Sequence, residues 1–301
     1  MKTAVIIPAL NEEKTIGKVV SDFRRQLPEA EVIVYDNNST DRTAEKAVKA
    51  GARLRTEFRR GKGYVMKSAL EGIDADVYVF VDGDDTYPAE AVKDLVKPVS
   101  EGEADMAVGS RMEAREDDSI KSLHVFGNRV IVGLINFCFG VRLADALSGY
   151  RVMNRNLAEH LNLISGGFEI ETELTIRTLI DGFRIKEVPV KYRARPRGSE
   201  SKLDSFSDGF VILWTIITLL RDHRPMLLFS IISIISVVLG VAMAAASTVY
   251  GAANPAAAAA GLLAALALII SGVQFMTIGL ILHSIRSQNI LLDQLIRRER
   301  K

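Results

Sequence analysis

Between Met226 and Leu282 the chain carries not one Asp, Glu, Lys or Arg. Within this stretch residues 226–250 and 256–282 are continuously apolar or small. Each is long enough to cross a hydrocarbon layer of ~30 Å at ~1.5 Å per residue. A soluble core helix of this kind would need apolar partners all round it, so the two segments read as transmembrane helices joined by the uncharged turn 251–255 (GAANP). Arg221, Arg224, Arg286, Arg297, Arg298, Arg300 and Lys301 flank the outer ends, and the turn has no positive charge. The positive-inside rule then places both ends in the cytoplasm. The expectation is an integral protein of the cytoplasmic membrane, with the preceding domain and the C-terminus cytoplasmic.

The remainder is water-soluble in character. The full 301-residue chain has a net charge of +1, so no bulk electrostatic case for nucleic acid exists. Cys138 is the single cysteine, which excludes an internal disulfide and a Cys/His zinc site. The first apolar run, residues 3–8, is followed at once by Asn11, Glu12 and Glu13 and lacks the form of a signal peptide. From there strands and helices alternate. Strands are expected at 3–8, 31–35, 52–56, 76–81 and 104–109, and helices at 12–26, 42–50, 63–72 and 89–100, with Ser39 or Thr40 capping the second. That alternation implies an α/β doubly wound, mostly parallel sheet that binds ligands at the carboxyl ends of its strands. Residues 123–141 and 210–220 are apolar but too interrupted to span, and read as helices lying in the membrane interface.

The central chemical signal is Asp82-Gly83-Asp84-Asp85, a D-x-D at the end of the most apolar strand. Buried carboxylates need a cation. Asp82 and Asp84 suit Mg²⁺ or Mn²⁺, which keeps its other positions for water and phosphate oxygens. Gly83 permits close backbone approach. Pro8-Ala9-Leu10-Asn11-Glu12 and Asp36-Asn37-Asn38-Ser39-Thr40-Asp41 end the first two strands and fall on the same edge. Asp36 is placed to accept a hydrogen bond from a base or ribose, and Asp41 to cap a helix. Arg59-Arg60-Gly61-Lys62-Gly63 is a basic turn entering a helix, able to meet phosphate through its backbone N–H groups and Lys62. Neither G-x-G-x-x-G nor a P-loop occurs, which excludes the usual dinucleotide and NTPase sites.

Together IIPALNEE, DNNSTDRT, RGKG and VDGDDTYP resemble the family 2, A-type (GT-A) inverting glycosyltransferases. The chain is most similar to the polyprenyl-phosphate glycosyltransferases of the dolichol-phosphate mannose synthase type. The similarity continues through Gly109-Ser110-Arg111, Phe126-Gly127-Asn128-Arg129, Ser148-Gly149-Tyr150-Arg151, GFEIE at 167–171 and GSESKL at 198–203, covering residues 1–225. It implies that Pro8, Ala9, Glu12 and Asp36 line the base, with Ser39, Lys62, Gly63 and Gly83 completing the donor site. Asp82 and Asp84 would serve ribose, diphosphate and metal. Arg111 and Arg129 would face the acceptor's lipid phosphate, with Ser148 and Arg151 beside it, although Arg151 could equally brace its own turn. Lys202 would clamp the donor phosphates. Thr86 stands where the mannose synthases have Gln, so Asp85 is the candidate third metal contact and a further catalytic residue. Glu169 and Glu171 could face sugar or acceptor, or cap a helix.

The implied reaction transfers a hexose or N-acetylhexosamine from a GDP- or UDP-sugar to polyprenyl or dolichyl phosphate. The partners are the nucleotide-sugar, the lipid phosphate and the bilayer, with a homo-oligomer left open. The implied organisation is a GT-A domain at 1–205, an interfacial helix and linker at 206–225, two transmembrane helices at 226–285 and a basic tail at 286–301. Two rivals compete. A processive polysaccharide synthase would carry Q-x-x-R-W, yet the single tryptophan, Trp214, follows Ile212-Leu213. A non-catalytic membrane adaptor would not need Asp82, Asp84, Arg111 and Lys202 intact.

Overall fold

The computed structural model describes residues 1–111, 122–195, 207–250 and 254–299. The chain divides into two compact units, Met1–Thr215 and Ile216–Lys301.

The first unit is built on a seven-stranded sheet. Its strands are β1 (Thr3–Ala9), β2 (Glu31–Asp36), β3 (Arg53–Thr56), β4 (Val77–Phe80), β5 (Met106–Ser110), β6 (Arg151–Asn154) and β7 (Ile185–Pro189), in the order β3-β2-β1-β4-β6-β5-β7. All pairs are parallel except those of β6, which runs antiparallel to both β4 and β5. The helices of this unit begin with α1 (Ile16–Gln26), α2 (Thr43–Lys49), α3 (Lys62–Gly72) and α4 (Val92–Ser100). They continue with α5 (Ser122–Phe139), α6 (Arg155–His160) and α7 (Ile170–Ile180). The central strands read as unbroken apolar runs because both faces are covered. Val5, Ile7, Val32, Val34, Val77 and Val79 pack on one side, and Ala4, Ile6, Ile33, Tyr35, Tyr78 and Phe80 on the other.

Two expected boundaries shift for local reasons. α1 begins at Ile16 and not at residue 12, because Thr15 and Ile16 turn their N–H groups onto the Glu12 carbonyl while Thr15 Oγ1 donates to Gly83 O at 2.7 Å. The α2 start is capped by Asp41, and not by Ser39 or Thr40: Asp41 Oδ1 accepts from Thr43 N at 2.9 Å and Thr43 Oγ1 at 2.5 Å.

In α5, Ile131, Val132, Ile135 and Cys138 are buried, while Arg129, Val130, Gly133 and Phe137 are exposed along the other side. Helix α8 (Ser207–His223) similarly exposes Phe210, Leu213 and Trp214 and buries Ile212, Ile216 and Leu220.

The second unit holds α9 (Pro225–Tyr250) and α10 (Pro255–Glu299). Pro225–Val249 and Pro255–Gln288 have mean hydropathies of 2.6 and 2.3, and only 11% of each apolar window is buried within the protein. Helices this long, apolar and uncovered could span a membrane. They pack against each other through glycines: a Cβ on Gly240 would lie 2.9 Å from Ala265 O, and one on Gly272 3.0 Å from Ser233 O. The basic segment after residue 285 continues the helix of α10 through Glu299.

Candidate active site

The carboxyl ends of β1, β2, β4 and β5 meet at one edge. Pro8 is half-buried, and Ala9 and Glu12 are buried. Glu12 N donates to Thr43 Oγ1 at 2.8 Å, fixing the turn after β1. Asp36 is 8% exposed; its Oδ2 accepts from Ser39 N at 3.3 Å, while the buried Oδ1 has no partner among the described residues. An unsatisfied buried carboxylate oxygen is costly, and this one is an acceptor held ready for a donor. Ser39 Oγ accepts from Asn11 N at 3.0 Å, so Ser39 ties the first two turns together. Asn37 ties in the third: its Nδ2 donates to the carbonyls of Glu57 and Arg59, and its Oδ1 accepts from Gly61 N at 2.7 Å.

The Asp82–Asp85 turn follows β4. Asp82 is bonded to Lys62, whose ammonium also contacts Glu171 at 2.7 Å. Burial alone would lower the Lys62 pKa, but the two carboxylates hold it well above the ordinary lysine value. Glu171 is pushed up by burial, partly offset by Lys62. Asp84 is 3% exposed; Thr86 donates to its Oδ1 through N (3.2 Å) and Oγ1 (2.6 Å), and Arg195 Nη2 meets its Oδ2 at 2.9 Å. Burial and the nearby charge of Asp82 raise the Asp84 pKa against the pull of Arg195. Gly83 lies against Pro8 O and Ile16, with 3.4 Å to each from a Cβ placed there.

Asp85, in the left-handed region at φ 60°, pairs with Lys18 at 2.7 Å and approaches Arg193 at 3.9 Å. Among the described residues no three carboxylate, His or Cys side chains gather to hold a metal. The Gly63 N–H is not free for phosphate, since it donates to Gly166 O at 3.0 Å. A Cβ on Gly61 or Gly63 would come within 2.1 or 2.2 Å of the carbonyls of Gly166 and Ser165. The glycines of RGKG therefore serve loop-on-loop packing, and Lys62 carries the contact with the catalytic edge.

The acceptor candidates separate into two groups. Arg111, at the end of β5, grips Asp145 with Nε at 2.7 Å and Nη2 at 2.9 Å. Arg129 is exposed on α5. Ser148 and Arg151 are both fully buried. Arg151 donates to Ser148 O (2.9 Å), Ala146 O (2.9 Å) and Thr175 Oγ1 (3.0 Å), and Ser148 Oγ donates to Gly109 O at 2.6 Å. Those bonds make Arg151 and Ser148 braces of the turn before β6 and leave them no surface for an acceptor. Lys202 lies outside the described residues.

Residues 4–161 match the family model described as Glycosyl transferase family 2. The chain belongs to glycosyl transferase family 2. Among its relatives, Glycosyltransferase AglJ of Haloferax volcanii is 34% identical over 241 residues, 80% of this chain and 79% of that one. The Dolichyl-phosphate hexose transferase of the same organism is 32% identical over 221 residues, 73% of this chain and 95% of that one. A solved glucosyl-3-phosphoglycerate synthase from Mycobacterium tuberculosis, in complex with Mn²⁺, UDP-glucose and phosphoglyceric acid, superposes with a TM-score of 0.62. It is 25% identical, over 72% of this chain and 79% of its own. The first unit is thus a GT-A fold, and the family 2 chain is a glycosyltransferase.

The residues at its D-x-D fit a divalent cation. Asp82 and Asp84 are each balanced by a side-chain cation, Lys62 and Arg195, so the pair is built to sit against positive charge. Two carboxylates leave room for phosphate and water oxygens, which suits Mg²⁺ or Mn²⁺. Sequence reasoning missed Thr86 as the residue that orients Asp84, Arg195 as its counter-ion and Asp145 as the partner of Arg111. Arg195 and Asp145 lie in no motif, and their roles depend on contacts 111 and 34 residues away in the chain.

Proposed function

We propose that this glycosyltransferase moves one hexose or N-acetylhexosamine, with inversion, from a GDP- or UDP-linked donor to a polyprenyl phosphate such as dolichyl phosphate. The carrying observation is the layout of charge at one sheet edge. The Asp82/Asp84 pair after β4 suits the metal-bound diphosphate, and the Arg111 guanidinium at the end of β5, with β6 between the two strands, suits an anionic acceptor. A hairpin of membrane length in the same chain and a relative named for dolichyl-phosphate hexose transfer support a lipid acceptor.

The donor base would donate a hydrogen bond to the unpartnered Asp36 Oδ1, beside Pro8, Ala9 and Glu12. Asp82 would bond the ribose and sugar side, with Lys62 and Glu171 behind it. A divalent cation bound by Asp82 and Asp84 would supply charge stabilisation to the departing diphosphate. A phosphate monoester is already anionic at neutral pH, so it attacks the anomeric carbon without a strong base. What it requires is alignment, which Arg111 and Arg129 provide, a guanidinium bonding two oxygens at once. The chain would be organised as a transferase domain at 1–205, an interfacial segment at 206–225, an anchor at 226–285 and a basic cytoplasmic tail at 286–301. The exposed Val130, Gly133 and Phe137 would place α5, and Arg129 with it, in the headgroup layer.

Binding and transfer measured separately test this. Arg129→Ala should leave Mn²⁺-dependent nucleoside diphosphate binding unchanged and cut transfer to polyprenyl phosphate by ~10- to 100-fold, as loss of a charged contact of ~1.5–3 kcal/mol requires. Loss of nucleotide binding with normal lipid-phosphate dependence would reverse the acceptor assignment.

A further inference from the structure

The loop between α5 and β6 contributes no residue to the D-x-D, yet it holds a fully bonded carboxylate near the catalytic edge. Asp145 is 2% exposed. Its Oδ2 accepts from Arg111 Nε at 2.7 Å and from Arg111 N at 3.2 Å. Its Oδ1 accepts from Arg111 Nη2 at 2.9 Å and from Leu147 N at 3.0 Å. Burial alone would raise the Asp145 pKa, but Arg111 holds it below the usual value. The two-point grip fixes the plane of the guanidinium, and the backbone bond fixes its root. The Arg111 head also lies 5.6 Å from the centroid of the Tyr192 ring. The grip commits the Nε–Nη2 edge, and among the described residues Nη1 has no hydrogen-bond partner, which leaves it for another anion.

The loop itself is stitched from two sides. Glu187 on β7 accepts from Ala144 N and Asp145 N, at 2.8 Å each. On α5, Asn136 exchanges two bonds of 2.9 Å with Leu143, and Asn128 Nδ2 donates to Ala144 O at 3.2 Å. Arg129 follows Asn128 on that helix. One short loop therefore sets the place of Arg111 directly and of Arg129 through α5. Asp145 and Arg111 cancel in charge, so the pair offers an incoming phosphate defined geometry more than net attraction.

We infer that Asp145 is a positioning residue of the acceptor site, which aims the free edge of Arg111 at the acceptor phosphate. This rests on Arg111 meeting that phosphate, as set out under the proposed function.

The test compares Asp145→Asn, Arg111→Lys and the double variant in the full-length protein. It reads kcat and KM for polyprenyl phosphate, affinity for a nucleoside diphosphate with Mn²⁺, and melting temperature. Asp145→Asn should lower kcat/KM for the lipid phosphate by ~10- to 100-fold, with nucleotide affinity unchanged. The double variant should be no worse than Arg111→Lys, because Asp145 acts only through Arg111. Normal transfer by Arg111→Lys sinks the acceptor reading itself. Impaired Arg111→Lys with normal Asp145→Asn overturns the positioning role alone. Losses that multiply in the double variant, or nucleotide affinity falling in step with transfer, also overturn it. Should Asp145→Asn not fold, Asp145→Glu keeps the charge and moves it by one methylene. It should show the same split between acceptor and donor, and an unchanged acceptor KM and kcat would overturn the inference.

Discussion

Glu57 shows how a single carboxylate can hold a loop of the site. Arg59 bonds it through N (2.9 Å), Nε (3.0 Å) and Nη2 (2.9 Å), and Ser68 Oγ donates to it as well. Those bonds, Arg59 first, lower its pKa from 4.5 to about 2. A carboxylate depressed on folding contributes stability that is complete above its unfolded value and is lost as pH falls through its folded one. The contribution should therefore disappear between pH 4.5 and about 2. Thermal melts across that window should fall less steeply for Glu57→Gln than for the wild type; parallel curves would contradict the assignment. Asp84 gives a second residue-scale expectation. Asp84→Ala should cut sugar transfer by ~100- to 1,000-fold, as removal of a main electrostatic group does. EDTA should abolish wild-type transfer and Mn²⁺ restore it, and undiminished transfer in EDTA would remove the metal from the reaction. At this scale the sequence showed Asp36, Asp82 and Asp84 because each ends an apolar strand. It did not show Thr86 and Arg195 as supports of Asp84 or Asp145 as the partner of Arg111, and for Arg151 it left open an acceptor contact and the bracing of its own turn, of which the structure shows the bracing. Such roles depend on which side chain reaches which across the fold, and local pattern does not encode that.

Among the elements, legibility followed burial. β1, β2 and β4 are covered on both faces and read as plain apolar runs. β6 has only the four residues Arg151–Asn154, and β7 is an edge strand whose residues are largely half-exposed. Neither gives a period to count. α7 hides for the opposite reason: it buries Glu171 and Glu173, so its polar residues do not mark a solvent face. Glu173 accepts from Ile164 N (2.9 Å) and Ser165 N (2.7 Å), fastening the loop that packs on Gly61 and Gly63. That packing makes a sharp expectation. Gly61 stands at φ 134°, and a Cβ there would lie 2.1 Å from Gly166 O. Gly61→Ala should cost roughly 1–3 kcal/mol in backbone strain alone, read as a lower urea midpoint, and should weaken donor binding because Lys62 moves with the loop. An unchanged midpoint would mean that the two loops part at little cost.

On the scale of the whole molecule, the charge-free stretch separates a GT-A unit from a helical hairpin, and the two can be tested apart. The hairpin holds no Asp, Glu, Lys, Arg or His between Met226 and Leu282, whereas intramembrane charges usually mark transport pathways. It should therefore act as an anchor. Removing residues 226–301 should release the transferase from the membrane with nucleotide affinity intact, and a folded fragment that no longer bound nucleotide would contradict the anchor role. The most direct test of the function is product formation. Purified full-length protein in vesicles containing polyprenyl phosphate and Mn²⁺ is offered UDP- and GDP-linked hexoses and N-acetylhexosamines one at a time, and the lipids are analysed by mass. The expected result is a single glycolipid carrying one sugar on the lipid phosphate, formed from one donor class and absent in EDTA. A growing polymer, or no lipid-linked sugar from any donor while Mn²⁺-dependent nucleotide binding is intact, would contradict it.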